Sequence, residues 1–207
     1  MNSQIIPPKL SGQRAADVST EAVHTYIRAI NRRIDTDREG CIASLDDMFR
    51  SGRPAEGLDG QYAGEMVAVS IAPLLTPFVE GIQNRQKPWL GKIFMPDTAR
   101  GENILNRTAR LPLRLTHPFY RDMRPVAAST FRALRFRTYQ APALLDPEVM
   151  VLKIDYDLPE NPRLTIRRVL DELVEIADGF YLGRAYVRWW WGTWQRVAYF
   201  SLRPDRK

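Results

Sequence analysis

The sequence predicts a mainly β chain with helices: an antiparallel β-barrel, preceded by a helical extension and carrying one helix before a closing hairpin. Three observations predict it. The C-terminal run Phe180 to Arg203 consists of two aromatic-rich segments meeting at Trp191-Gly192-Thr193-Trp194, where a Gly-X pair suits a two-residue hairpin turn. From Leu58 onward the texture is β-prone, with seven or eight strand-like segments, about the number that closes a barrel able to hold one small ligand. Helical periodicity marks the N-terminal part, a short insertion at Pro73 to Arg85 and one stretch before the final hairpin. Hydrophobic residues make up 44% of the 207 positions and charged residues 26%, so a packed core is within reach and a disordered chain is not expected.

Each element follows in order. Residues 1–18, with Pro7-Pro8 and no periodicity, read as a flexible arm. Residues 19–55 read as a helical extension. Val23, Tyr26, Ile27, Ile30 and Ile34 share one helical face behind Ser19 as N-cap, giving a helix over about 19–36. Ser44-Leu45-Asp46-Asp47 matches a second helix start, and Ser51-Gly52-Arg53-Pro54 ends it. Residues 56–204 form the barrel domain. Its first strand runs from Leu58 to Val69, and helical spacing over Pro73 to Arg85 predicts a short helix capping one barrel opening. Strands follow at Lys87 to Met95, Gly101 to Asn106, Phe131 to Tyr139 and Glu148 to Asp157. Residues 107–128 carry Pro112, Pro118 and Pro125, which favour loops and edge strands. Asn161 as N-cap, Pro162 at N1, the stripe Ile166, Val169, Leu170, Leu173, Val174 and Ala177, and Gly179 as C′ residue predict a helix over 162–178. The predicted core uses Met150, Leu152, Ile154, Leu170, Leu173, Val187 and Phe200.

Composition also bears on partners. The net charge of +6 and pI near 9.7 come from arginines scattered along the chain, often beside acids, so nucleic acid is not the expected partner. The single cysteine, Cys41, can form no intramolecular disulfide, and the N-terminus has no apolar signal core. A cytoplasmic location is the expectation. The longest apolar stretch, Met66 to Val79, is interrupted by Pro73 and Pro77 and is shorter than the ~20 residues of a membrane helix, so no membrane span is expected. No Walker loop or dinucleotide fingerprint is present, and two histidines, His24 and His117, with one cysteine are too few for an expected protein-only zinc site. The sequence calls for no cofactor and no metal.

Three short segments carry a family resemblance: Gly60-Gln61-Tyr62-Ala63-Gly64, Trp89-Leu90-Gly91-Lys92-Ile93-Phe94 and Asp155-Tyr156-Asp157-Leu158-Pro159. Together they resemble the lipocalin-like GXWXG-type domain family over roughly residues 58–202, with Tyr62 standing where the family has tryptophan. The resemblance implies a calycin, or lipocalin-like, barrel that binds an apolar small molecule in its interior. It implies no specific activity.

The candidate site follows from that barrel. Tyr62, Trp89, Tyr156 and Trp190 would line a pocket for a small apolar or amphipathic molecule. Lys92 or Arg184 would meet a polar end such as a carboxylate. Regular alternation puts Lys92 on the face opposite Trp89 unless Gly91 marks a bulge, and it puts Arg184, Arg188 and Trp190 on one shared face. Asp155 and Asp157 would share a strand face, as a pair of acids or as solvated charges at the strand's end. The sequence leaves two other outcomes open. One is a lyase or isomerase using Lys92 or Tyr156 for acid–base chemistry, which a buried carboxylate beside either residue would favour. The other is a homodimer through the tryptophan hairpin and helices, which a barrel filled by its own side chains would favour.

Overall fold

A computed structural model describes residues 19–69 and 87–205. The arm predicted over 1–18 and the helix predicted over Pro73 to Arg85 lie outside these residues. Helix α1 (Thr20–Arg33) begins where expected, with the Ser19 hydroxyl accepting from the Ala22 N–H and Glu21 in the positively polarised first turn. Helix α2 (Arg38–Arg50) begins six residues ahead of Ser44, because the Asp37 carboxylate caps the Gly40 N–H. Ser44 sits inside the helix and bonds back to the Gly40 carbonyl. The buried faces of the two helices, among them Tyr26, Ile27, Leu45 and Phe49, pack on the outer wall of the barrel against Val174, Ile176 and Tyr199. Each such large side chain, fully buried, contributes about 2 kcal/mol of transfer free energy.

Eight strands close the barrel: β2 (Gly60–Val69), β3 (Trp89–Met95), β4 (Arg100–Asn106), β6 (Thr130–Pro142), β7 (Met150–Asp155), β8 (Val169–Ala177), β9 (Phe180–Arg188) and β10 (Trp194–Pro204). Each pairs antiparallel with the next, and β10 returns to β2 with Ala198 opposite Val69. Two short strands lie outside the ring, β1 (Arg53–Pro54) on β8 and β5 (Arg124–Ala127) on β6. The chain between β4 and β5 forms the seven-residue helix α3 (Arg110–Thr116). The predicted fold class holds: a closed antiparallel barrel with N-terminal helices and a helix ahead of the final strands.

The placement of that last helix is corrected. Residues 169–177, predicted as most of a helix over 162–178, are strand β8, preceded by a short 3-10 turn at Ile166–Arg168. The reason is burial on both faces. Val169, Asp171 and Leu173 point into the barrel, while Val174 and Ile176 join the helices outside, so the apolar run lacks the alternation that marks a half-buried strand. Its three acids imitate a polar helix face, yet Asp171 is buried with Lys92 inside, Glu172 is buried with Lys153 outside, and Glu175 pairs with Arg53. Asp178-Gly179, read as a helix terminus, is the turn of the β8–β9 hairpin, with Gly179 at φ 65°.

The terminal hairpin forms as expected, but its loop is one residue longer. Trp189 pairs with Thr193 and the Gly192 N–H reaches the Trp189 carbonyl, leaving Trp190, Trp191 and Gly192 as the loop, with Gly192 at φ 95°. Met150, assigned to the core, is 43% exposed because β7 starts there, beside the loop from β6. The other six predicted core residues are buried or partly buried, as expected.

Candidate functional site

The barrel interior divides into a filled end and a hollow end. At the filled end Tyr62 packs edge-on against Phe94 and Tyr181, with ring centroids 5.4 and 5.7 Å apart, and Phe94 packs on Phe136. At the other end, where β2 stops and β3 begins, lies a cavity of about 350 Å³, within the range of small-ligand pockets. Met66, Leu105, Val169, Ala185 and Phe200 give it apolar walls. It reaches the surface beside Lys87, whose side chain is 66% exposed and pairs with Glu65.

One polar cluster stands in these walls. Lys92, 2% exposed, directs its ammonium group at Asn103 Oδ1 (3.1 Å), Asp171 Oδ2 (2.9 Å) and the Tyr156 hydroxyl. An ammonium has three N–H donors, and all three are thereby satisfied. Tyr156 in turn donates to Asp171 Oδ2 (3.2 Å), and Trp89 Nε1 donates to Asn103 Oδ1 (3.0 Å). Four rings surround the Lys92 nitrogen, those of Trp89, Phe136, Tyr156 and Phe200, with centroids 5.1–5.6 Å away. Their faces attract the cation, partly replacing lost hydration. Burial lowers the Lys92 pKa, opposed by the Asp171 charge. Burial, reinforced by the same carboxylate, holds the Tyr156 hydroxyl well above the ordinary phenol value. As an ion pair, Lys92 and Asp171 bring opposite formal charges that cancel.

Two backbone irregularities aim these side chains. Gly91 adopts φ 143°, and the pairing of β3 with β4 shifts between Trp89 and Gly91. That bulge breaks the alternation, so Trp89 and Lys92, three residues apart, both face the cavity. The second bulge lies opposite, in β6, where Glu102 pairs with Arg135 and Asn103 with Ala133, leaving Leu134 over. Leu134 takes φ 57°, a conformation costing an ordinary residue about 1–2 kcal/mol. Its carbonyl accepts from Asn103 Nδ2 (3.0 Å), and its N–H donates to the Tyr120 hydroxyl (2.6 Å). The strained residue thus fixes the amide that holds both Trp89 and Lys92.

Of the residues singled out in the sequence, Trp89, Lys92 and Tyr156 meet in the cavity. Tyr62 is inside the barrel but plugs the filled end. Arg184 points the other way: it is fully buried beneath α2, stacked on Phe49 and bonded to Asp46, Asp146 and Tyr199. Alternation along β9 sends Ala185, its neighbour, to the cavity instead. Trp190 stands on the hairpin loop over Arg168, 55% exposed. Asp155 and Asp157 are ion-paired separately, with Arg137 and Arg167. The sequence reading missed Asp171 and Asn103. Asp-Gly at 178–179 between β-branched and aromatic runs was the signal for a hairpin, and a strand there would have carried Asp171 to a barrel face.

The described residues include no group of three or more His, Cys, Asp or Glu placed to hold a metal ion, and no described helix is long and apolar enough to cross a membrane. Fold and site define a closed eight-stranded antiparallel barrel with a polar cluster set in a one-ended apolar cavity. Comparison with protein-family models, with curated proteins and with solved structures finds no match for the chain.

Proposed function

We propose that the barrel binds a small, largely apolar and uncharged molecule, inserted from the Lys87 side so that a carbonyl or hydroxyl meets the Lys92 cluster. The observation that carries this reading is the cavity itself, with mostly apolar walls, one buried polar cluster around Lys92, and its other polar groups, Asn31, Glu65 and Lys87, at the opening. The resemblance of the Trp89 to Phe94 segment to the GXWXG-type domain supports the same lipocalin-like use of the interior. A carboxylate-bearing ligand fits less well. Asp171 already pairs with Lys92, and a second carboxylate would enter a buried site beside the first. The neutral fluorescent probe N-phenyl-1-naphthylamine is expected to brighten on entering the wild-type cavity. Trp89→Ala and Tyr156→Ala variants with unchanged circular dichroism should lose most of that signal. Undiminished uptake in both would place the probe elsewhere and remove the assignment.

A second reading rests on one specific observation: a buried carboxylate lies 2.9 Å from a lysine and 3.2 Å from a tyrosine hydroxyl. Such a group can move a proton at a carbon beside a ligand carbonyl, with Lys92 or Tyr156 as acid or base. The wild type would then speed deuterium uptake from heavy water into a bound ketone such as octan-2-one, and Tyr156→Phe would not. Exchange at the buffer rate would eliminate catalysis of this kind while leaving binding intact.

A further inference from the structure

The hollow end of the barrel carries an apolar crown as well as a cavity. Strand direction places α3, the 157–168 connection and the β9–β10 loop all at this end, since β4, β7 and β9 finish there and β6, β8 and β10 start there. These segments are joined laterally: Trp190 stacks on Arg168 at 3.9 Å, and Thr165 Oγ1 lies 3.3 Å from His117 Nε2, at the end of α3. On them, and on the turn after α3, sit six of the most exposed large apolar side chains among the described residues: Leu111 (66%), Leu115 (74%), Phe119 (92%), Leu164 (63%), Trp190 (55%) and Trp191 (72%). Leaving this much apolar surface in water is uncommon for a surface without a partner.

The acids of the 157–168 connection, Asp157 and Glu160, are paired with Arg167 and with Arg100 and Arg135, whereas the charge around α3 is of one sign and unpaired. From Arg107 to Arg121 the chain contains four arginines, Arg107, Arg110, Arg114 and Arg121, and no acid. All four are exposed, and none forms an ion pair among the described residues. This contrasts with the barrel wall, where Arg53, Arg135, Arg137 and Arg184 are each paired with carboxylates. Alternating Leu and Arg on α3, with Phe and Trp nearby, is the composition of a segment that lies in a lipid headgroup layer. Arginines pair with phosphates while leucine, phenylalanine and tryptophan reach the acyl boundary.

From this geometry we infer that the cavity end of the barrel docks peripherally on an anionic lipid bilayer, with α3 and the tryptophan loop as its contact. Two other occupants fit less well. A second copy meeting this end face to face would set the same unpaired arginines against each other. A nucleic acid would use the arginines and tryptophans, but Leu111, Leu115 and Leu164 would gain nothing from it. Docking here would hold the cavity mouth against the membrane, so an apolar ligand could pass between bilayer and barrel without crossing water; that last step rests on the proposed function.

The test is co-sedimentation with vesicles of phosphatidylcholine alone and with about 30% phosphatidylglycerol. The wild type should bind the anionic vesicles and not the neutral ones at low salt, with partitioning weakened as salt rises. Arg110→Glu/Arg114→Glu should lower partitioning by more than ten-fold, at roughly five-fold for each arginine lost near an anionic surface. Leu111→Ser/Leu115→Ser/Phe119→Ser should lower it comparably, and all five positions are exposed, so folding is preserved. Brominated acyl chains should quench Trp190 and Trp191 fluorescence on binding. Trp89→Ala, which empties the cavity of probe, should bind vesicles as the wild type does, separating this inference from the proposed function. Absence of anionic-vesicle binding would overturn it. So would binding unchanged by both surface variants, a dimer that the leucine variant dissociates with no vesicle binding, or capture of single-stranded oligonucleotides in preference to vesicles.

Discussion

Lys92→Met is expected to destabilise the protein by about 3–5 kcal/mol, and Lys92→Met/Asp171→Leu is expected to recover most of that loss. The single substitution removes the cation 2.9 Å from a carboxylate whose side chain is only 6% exposed. It leaves that charge unpaired in a low-dielectric wall, which costs several kcal/mol, whereas exchanging both members of a buried pair for apolar groups is often neutral. Urea unfolding followed by tryptophan fluorescence reads both values. The recovery matters more than the loss. If the double variant is as unstable as the single one, the lysine serves the fold through packing of its methylene stem, and the pair is no separable polar device in the cavity wall. A stable double variant that no longer brightens or positions a bound ligand would show that the pair is kept for the site and not for stability.

Gly91→Ala should be the most damaging single-methyl addition in the barrel. A Cβ built there would lie 1.9 Å from the Tyr62 carbonyl oxygen and 2.8 Å from the Gly64 nitrogen, both backbone atoms of β2, at a φ of 143° that side-chain-bearing residues rarely adopt. Neither neighbour can turn aside as a flexible side chain would. Either β2 and β3 separate or the bulge flattens, and flattening would turn Lys92 out of the cavity. The expected cost is above about 4 kcal/mol, in the range reserved for gross packing faults. Gly57→Ala supplies the control. That residue also has positive φ, 63°, but a methyl added there would meet nothing within 4 Å, so strain alone of about 1–2 kcal/mol is expected. Thermal unfolding of the two variants side by side should give a large gap. Equal shifts would mean that the close approach of β2 to β3 contributes nothing beyond backbone preference.

Much of this architecture was legible in the chain because local signals and global fold agree. Ser19 caps α1 as its position suggested, the β3 and β4 segments pair as read, and Trp189 to Trp194 turn the last hairpin. The errors arose where a strand is buried on both faces. Along β8, an interior of Val169, Asp171 and Leu173 and an exterior of Leu170, Val174 and Ile176 merge into one apolar run, and helical spacing fits such a run equally well. The site was half legible for a related reason. Trp89, Lys92 and Tyr156 are rare residue types in apolar strands and drew notice. Whether Lys92 faces Trp89 depended on Gly91, for which the sequence could state only the condition. Asp171 was hidden by the misassigned helix. Arg184 was misplaced because Asp46 and Asp146, its partners, come from residues 138 and 38 positions away, a pairing that no local pattern encodes.

The central claim is that the Lys92 cluster, already charge-neutral, receives an uncharged ligand in the hollow end of the barrel. Displacement of bound N-phenyl-1-naphthylamine by octan-2-one and by octanoate, two chains of equal length and different charge, tests it most directly. The ketone should displace the probe at a concentration at least about ten-fold lower, the difference reflecting the cost of bringing a second carboxylate beside Asp171. Octanoate displacing as well as the ketone or better would contradict it, making Lys92 a carboxylate holder and Asp171 the group that must give way.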